Sequence, residues 1–152
     1  MTGTQILGPH SAVLVLVDGP AVGVSSDATL QQAARAMRDN NVSAVVVDDG
    51  RAIVTERDLA CATAAGLAVT TPVDDVMVSD PITINPAATI IEAAAVMIHE
   101  QIRHLVVRDD DGPVAGVVSL RAVLGVLLDV MEPSAWVAVR YEITKRSEIW
   151  LG

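Results

Sequence analysis

Phenylalanine is missing from the 152-residue sequence, and two tryptophans and one tyrosine are its only aromatic residues. With 51% of positions hydrophobic all the same, the interior is built from Val, Ala, Leu, Ile and Met, small side chains that bring packed elements close together. Cys61 stands alone, which excludes an intrachain disulfide and a cysteine metal cluster and points to a reducing compartment, the cytoplasm. Basic residues are few: Lys and Arg number 10 against 19 Asp and Glu, a net charge of −9. Without a broad basic surface the chain does not wrap a polyphosphate backbone, so nucleic acid is excluded as a partner. A small anion is not excluded, because one or two arginines and a helix N-terminus suffice to hold it. Long apolar runs are also lacking. The stretch "AVLVLV" is too short for a signal core, the start has no basic leader, and no window reaches membrane-spanning length, so neither export nor a membrane anchor is expected.

What the chain has is a duplication. "ATLQQAARAMRDNNVSAVVVDD" from Ala28 matches "ATIIEAAAVMIHEQIRHLVVRD" from Ala88 at a constant offset of sixty residues, the mark of a repeated structural unit. Further on, "VTERDLA" returns as "VSLRAVL" at an offset of sixty-four, Thr55 to Ser119, the difference lying in the loop "DDDGPVAG". Thr29 with Gln32 and Thr89 with Glu92 have the capping-box spacing that opens a helix. Leu30, Ala33, Ala34, Met37 and Ile90, Ala93, Ala94, Met97 follow at i, i+3, i+4, i+7, an apolar stripe for packing on a sheet. "SAVVV" and "HLVV", then "AIVT" and "AGVVS", read as buried strands. Thr55 and Ser119 cap a second helix in each copy, one ending near Gly66 and the other near Asp129 or Met131.

The predicted organisation is therefore an α/β (α+β) chain: an N-terminal extension 1–21, a first repeat 22–66, a linker 67–81, a second repeat 82–131 and a C-terminal extension 132–152. "AVLVLVDGPAVGV" reads as a hairpin-like pair of strands about an Asp-Gly turn, with no clear counterpart between the copies. The linker holds one short helix with Thr71 as cap, Pro72 in its first turn and Asp74 as its acid. "SAWVAVRYEIT" alternates as an added strand, and Cys61 is expected buried and inert in its Ala-rich helix. His99 and His104 in "HEQIRH" evoke a zincin box, but they are five apart, about 140° around a helix, and cannot converge on one metal ion. "VDDG" and "RDDDG" read as solvated turns.

The tandem Thr-capped helices, the strand "RHLVV" and the strand running into "VTERDL" resemble a pair of CBS (cystathionine-β-synthase type) domains, a Bateman module, over roughly Val22 to Leu128. "TERDLACATAAGL" followed by "TPVDDVMVSDPITI" is similar to stand-alone bacterial members. The resemblance implies two β-α-β-β-α repeats packed by their sheets about a pseudo-twofold axis, with clefts that often hold adenosine-containing ligands such as AMP, ATP, NAD or S-adenosylmethionine. It places Asp58 on the ribose, with Thr55 and the helix tip beside the phosphate. Ile53 flanks the base; Ile82, Thr83 and Ile84 form an apolar wall from the other copy; Arg103 and His104 face the phosphates, with Arg57 and Arg121 as further anion contacts.

Asp58 also has the spacing to cap its own helix, and the two roles are compatible. In the second copy Ala122 replaces the acid. A nucleoside there loses a charge-assisted pair worth about 1.5–3 kcal/mol, a tenfold to hundredfold drop in affinity. No converging nucleophile, base or glycine-rich phosphate loop is present, so a non-catalytic regulatory module is expected, with the nucleotide as regulatory ligand and no metal. The alternative is a scaffold with empty clefts that pairs with itself or a protein target. The resemblance implies a homodimer formed through the helices.

Overall fold

The computed structural model of the chain describes residues 7–131. Its elements run β1 (Gly23–Val24), α1 (Leu30–Asn40), β2 (Ala44–Val47), β3 (Ala52–Thr55), α2 (Glu56–Ala64), β4 (Val78–Ser79), β5 (Thr83–Ile84), α3 (Ile90–His99), β6 (His104–Val107), β7 (Gly116–Ser119) and α4 (Leu120–Met131). The strands form two sheets, ordered β1-β2-β3-β4 and β5-β6-β7. In each, a short parallel strand lies beside the first strand of an antiparallel pair: Gly23 against Val46 and Thr83 against Val106.

Alternation of side chains along a strand explains why "AVVV" is buried throughout. Val45, Val47, Ala52 and Val54 pack under α1 and α2 with Leu30, Ala33, Met37 and Ala62. The intervening Ala44, Val46 and Ile53 point the other way and meet Val106, with Val114 and Val117 alongside. The second sheet repeats the division: Leu105, Val107 and Val118 pack with Ile90, Ala93, Ala94 and Met97. The two sheets therefore join face to face through a thin layer of valine, alanine and isoleucine, and each carries its helices on its outer face.

Capping occurs where the spacing places it. Thr29, Thr55 and Thr89 each accept from the backbone N–H three residues on, and Gln32, Asp58 and Glu92 reciprocate. Ser119 Oγ accepts from the Ala122 amide at 3.2 Å. The hydrogen bonds of Thr89 hold the exposed Glu92 carboxyl below the usual carboxylate range.

Several expectations are corrected. The segment read as a hairpin is a 3₁₀ turn, Val13–Leu16, followed by β1, which pairs in parallel with β2. Backbone bonds explain the difference: Ile90 N donates to Ser11 O and Val13 N to Ala88 O, tying the segment to the start of α3. The linker makes the same bonds to the first repeat, Leu30 N to Thr71 O and Val73 N to Ala28 O. The first copy therefore has its upstream counterpart, offset by sixty residues and docked on the opposite repeat. In the linker the helix is a single 3₁₀ turn, Val73–Asp75, preceded by Pro72 with no side-chain cap; the Thr71 carbonyl is committed to Leu30. Ala34 and Cys61 are exposed, because Ala33 and Ala62 take the inward places on their helices. Gly116 is required sterically, since a Cβ there would collide with Val17. The strand expected over 132–152 lies outside the described residues.

Candidate functional site

The first turn of α2 is positioned by β3, whose last residue, Thr55, is the N-cap. Glu56 N donates to Ser43 O at 3.0 Å, fastening the helix start to the residue that leads into β2. Asp58 Oδ2 accepts two bonds of 2.7 Å, from Thr55 N and from Thr55 Oγ1. Oδ1 takes no hydrogen bond among the described residues. Asp58 is half-buried, so one oxygen is committed to the cap and the other is available at the helix tip.

Across the sheet interface, His104 opens β6 of the second repeat. Its Nε2 lies 2.7 Å from Ser43 Oγ of the first repeat, a hydrogen bond between side chains sixty-one positions apart. Burial, with the Arg103 guanidinium beside it, holds the imidazole below its ordinary value, and the Asp58 carboxylate offsets part of that drop. The neutral ring is thus the preferred state at neutral pH. Asp58, Ser43, Arg103 and His104 form one group contributed by both repeats. Leu120 N donates to Arg103 O at 2.8 Å, the counterpart of the Glu56–Ser43 bond, so the start of α4 is anchored in the same manner.

The other sequence-identified residues divide. Ile53 is 7% exposed and sits in the layer between the sheets. Arg57, Arg103 and Arg121 are exposed. Of the three-residue wall, Ile82 and Thr83 are exposed, but Ile84 is buried in the second repeat's core with Val13 and Ile90. Strand alternation turns the Ile84 side chain toward the helices, so of the expected wall and backbone edge it has only its backbone to offer. Sequence reading missed Ser43. Its signal was available in the alignment of the copies, where Ser43 falls opposite Arg103 at the entrance to each repeat's buried strand.

His99 closes α3 and contacts Glu100, whereas His104 belongs to β6. The acidic turn Asp48–Gly50 is exposed at both aspartates, where Asp48 accepts from Ser26 N and from Arg51. No helix among the described residues is long and apolar enough to cross a membrane.

Comparison with known proteins agrees with this architecture. The family model described as CBS domain matches residues 11–64 and 73–129. A CBS domain-containing protein of Bacillus subtilis is 38% identical over 101 residues, covering 64% of this chain and 71% of its own. A CBS domain protein from Pyrobaculum aerophilum, solved complexed with AMP, is 30% identical with a TM-score of 0.66, over 73% of this chain and 88% of that one. A CBS-domain containing protein from Agrobacterium tumefaciens is 26% identical with a TM-score of 0.67, over 75% and 97%.

Proposed function

The chain belongs to the CBS-domain family, and from that premise we propose that it is a non-catalytic regulatory module binding an adenosine-containing nucleotide between its repeats, on the Asp58 side. The observation that carries this reading is the group built from both repeats: a capped carboxylate with one oxygen uncommitted, and across the interface His104, near enough to feel its charge, with Arg103 beside the imidazole. A carboxylate accepts from ribose hydroxyls through charge-assisted bonds, and a helix N-terminus with the Arg103 guanidinium suits a phosphate. Thr55, Ile53 and Arg57 approach from the first repeat, and Ile82 and Thr83 from the second. The complex of the Pyrobaculum relative with AMP supports the same ligand class here. Arg121, at the matching turn of the second repeat, serves the other cleft.

A second reading rests on Asp58 itself. Both hydrogen bonds it makes are those of a helix cap, which suits a scaffold whose clefts stay empty. Calorimetric titration with AMP, ATP, NAD and S-adenosylmethionine separates the two. Binding of any one, weakened by Asp58→Ala, supports the sensor; silence from all four at millimolar concentration leaves the scaffold. In either role we propose a cytoplasmic homodimer that acts on a protein target, and a monomeric mass by light scattering at micromolar concentration would count against the dimer.

A further inference from the structure

The bond between Ser43 Oγ and His104 Nε2, 2.7 Å long, ties one repeat to the other through two half-buried side chains. Duplication gives it no twin. Arg103 matches Ser43 and Ala44 matches His104, a guanidinium and a methyl group that cannot form it. His104 is also the one half-buried histidine of the chain's three, since His10 and His99 are exposed.

The charges that bear on the ring oppose each other. Arg103, next in sequence, resists a proton there, as does burial, whereas Asp58 on α2 of the other repeat favours one. The strands against it bring no charge: β7 pairs Ser119 with it, and β2 is wholly apolar. Glu56 and Arg57 on α2 and Arg121 on α4 are exposed. Nε2 is committed to Ser43, and Nδ1 has no hydrogen bond among the described residues. A serine is a partner suited to either protonation state, because its hydroxyl can donate to a bare nitrogen or accept from an N–H. The tie between the repeats therefore holds whether or not the ring is charged. A phosphate held by Arg103 and the tip of α2 adds negative charge beside the imidazole and offsets the guanidinium, both of which favour the charged ring.

We propose that the Asp58 site is proton-linked: a phosphate-bearing ligand bound there takes up a proton on His104 and is held more tightly as pH falls. This rests on the nucleotide reading above and adds to it a regulation by pH. The ring titrates below the ordinary 6.5 in the free protein and higher beside the anion. Affinity is therefore level above the bound value, rises as pH falls between the two, and levels off below the free value. A whole proton corresponds to about tenfold per pH unit.

Calorimetry of the full chain with AMP, in two phosphate-free buffers of low and high ionisation enthalpy, counts the proton; adenosine is the phosphate-free control. The phosphate of AMP itself titrates near pH 6, equally for wild type and His104→Gln, so their difference belongs to the ring. The expected result is proton uptake that His104→Gln loses, and a several-fold gain in wild-type affinity over the variant between about pH 8 and about pH 6. The imidazole Cε1–H resonance of His104 reads the same event without reference to affinity. His10→Gln and His99→Gln, at exposed positions, identify it by exclusion even where His104→Gln does not fold. Its titration midpoint rises with AMP bound and stays with adenosine. Equal uptake in wild type and His104→Gln, or an unmoved midpoint with AMP bound, overturns the proposal and leaves the nucleotide reading standing. Binding of adenosine without AMP does the same, since no phosphate then enters. Silence from both at millimolar concentration also overturns it, and the four-ligand titration above then decides whether a sensor remains.

Discussion

The first repeat places Asp58, Ser43 and Ala44 where the second has Ala122, Arg103 and His104, although both fold as helix, strand, strand, helix on a common plan. Buried positions tolerate little change: Val45 matches Leu105, Val47 matches Val107, and Met37 matches Met97, each almost fully enclosed. The sheet and helix layers constrain volume and polarity there. At the helix tips and strand entrances the copies diverge: the first has the half-buried acid Asp58 and the small Ala44, the second an exposed Arg103 and the half-buried His104. Packed against each other, they bring Asp58 of one copy together with His104 of the other, which bonds Ser43, while the matching turn of the second repeat has Ala122 and no acid.

The largest expected effect tests the shared part. Leu105→Ala, in a core site with no exposure, should destabilise the protein by about 2–5 kcal/mol. Val45→Ala removes one carbon fewer and should cost about 1 kcal/mol less. Urea unfolding of both gives the comparison. Equal transitions in all probes would show that the repeats unfold as one unit; a separate early transition for Leu105→Ala would show that they do not.

These shared elements were the ones legible in the sequence. Thr29, Thr55 and Thr89 announced their helices because capping is a local hydrogen-bond pattern with fixed spacing. Buried strands announced themselves by their valines. What escaped was decided at a distance. "AVLVLV" has the composition of a strand, but Val13 is drawn into the second repeat's core and its amide is satisfied by Ala88. The Ser43–His104 bond joins residues from different copies, which no local pattern reveals. Cys61 and Ala34 were misplaced because consecutive alanines on a helix leave the inward residue ambiguous by one position.

Asp58 and Ala122 distinguish capping from ligand contact. Ala122→Asp places an acid three residues after Ser119, completing a capping box at the turn that lacks one. It should gain about 0.3–1.5 kcal/mol of stability and add no binding event. Asp58→Ala should lose a similar amount and, in addition, weaken the nucleotide by tenfold to hundredfold. Thermal unfolding beside calorimetry reads both. If Asp58→Ala changes stability alone, capping is its whole role.

His104 gives the pH signature that Ala44 cannot. In the unfolded chain a histidine titrates near 6.5; in the native protein burial and Arg103 hold it lower, against the pull of Asp58. Below about pH 6.5 the unfolded chain takes up a proton that the native chain resists, so stability falls as pH drops through this window and levels off below the native value. His104→Gln, whose amide can still meet Ser43 Oγ, should flatten that slope. Denaturation midpoints between about pH 5 and pH 8 measure it, and an unchanged slope in His104→Gln would place the titrating group elsewhere.

The smallest difference lies at the surface. Arg51 Nη2 reaches Asp48 at 3.1 Å and Asp74 at 3.4 Å, linking the turn after β2 to the linker's 3₁₀ segment. In the second repeat the matched residues are Ala115, Arg108 and Leu14, so no such bridge forms there. Hydrogen bonds from Ser26, then from Arg51, hold the Asp48 carboxyl low, and its partners hold the Arg51 guanidinium up. All three groups are solvent-exposed, where ion pairs are weak and screened. Arg51→Ala should therefore lower the thermal midpoint only slightly at low ionic strength. The Debye length shrinks from about 10 Å at 0.1 M to about 3 Å at 1 M salt, comparable with these distances, so wild type and variant should converge as salt is raised. A gap that survives high salt would mean that Arg51 acts through the packing of its side-chain stem, since the bond from Asp80 N to its backbone carbonyl is common to wild type and variant, and that charge has little part in the asymmetry between the repeats.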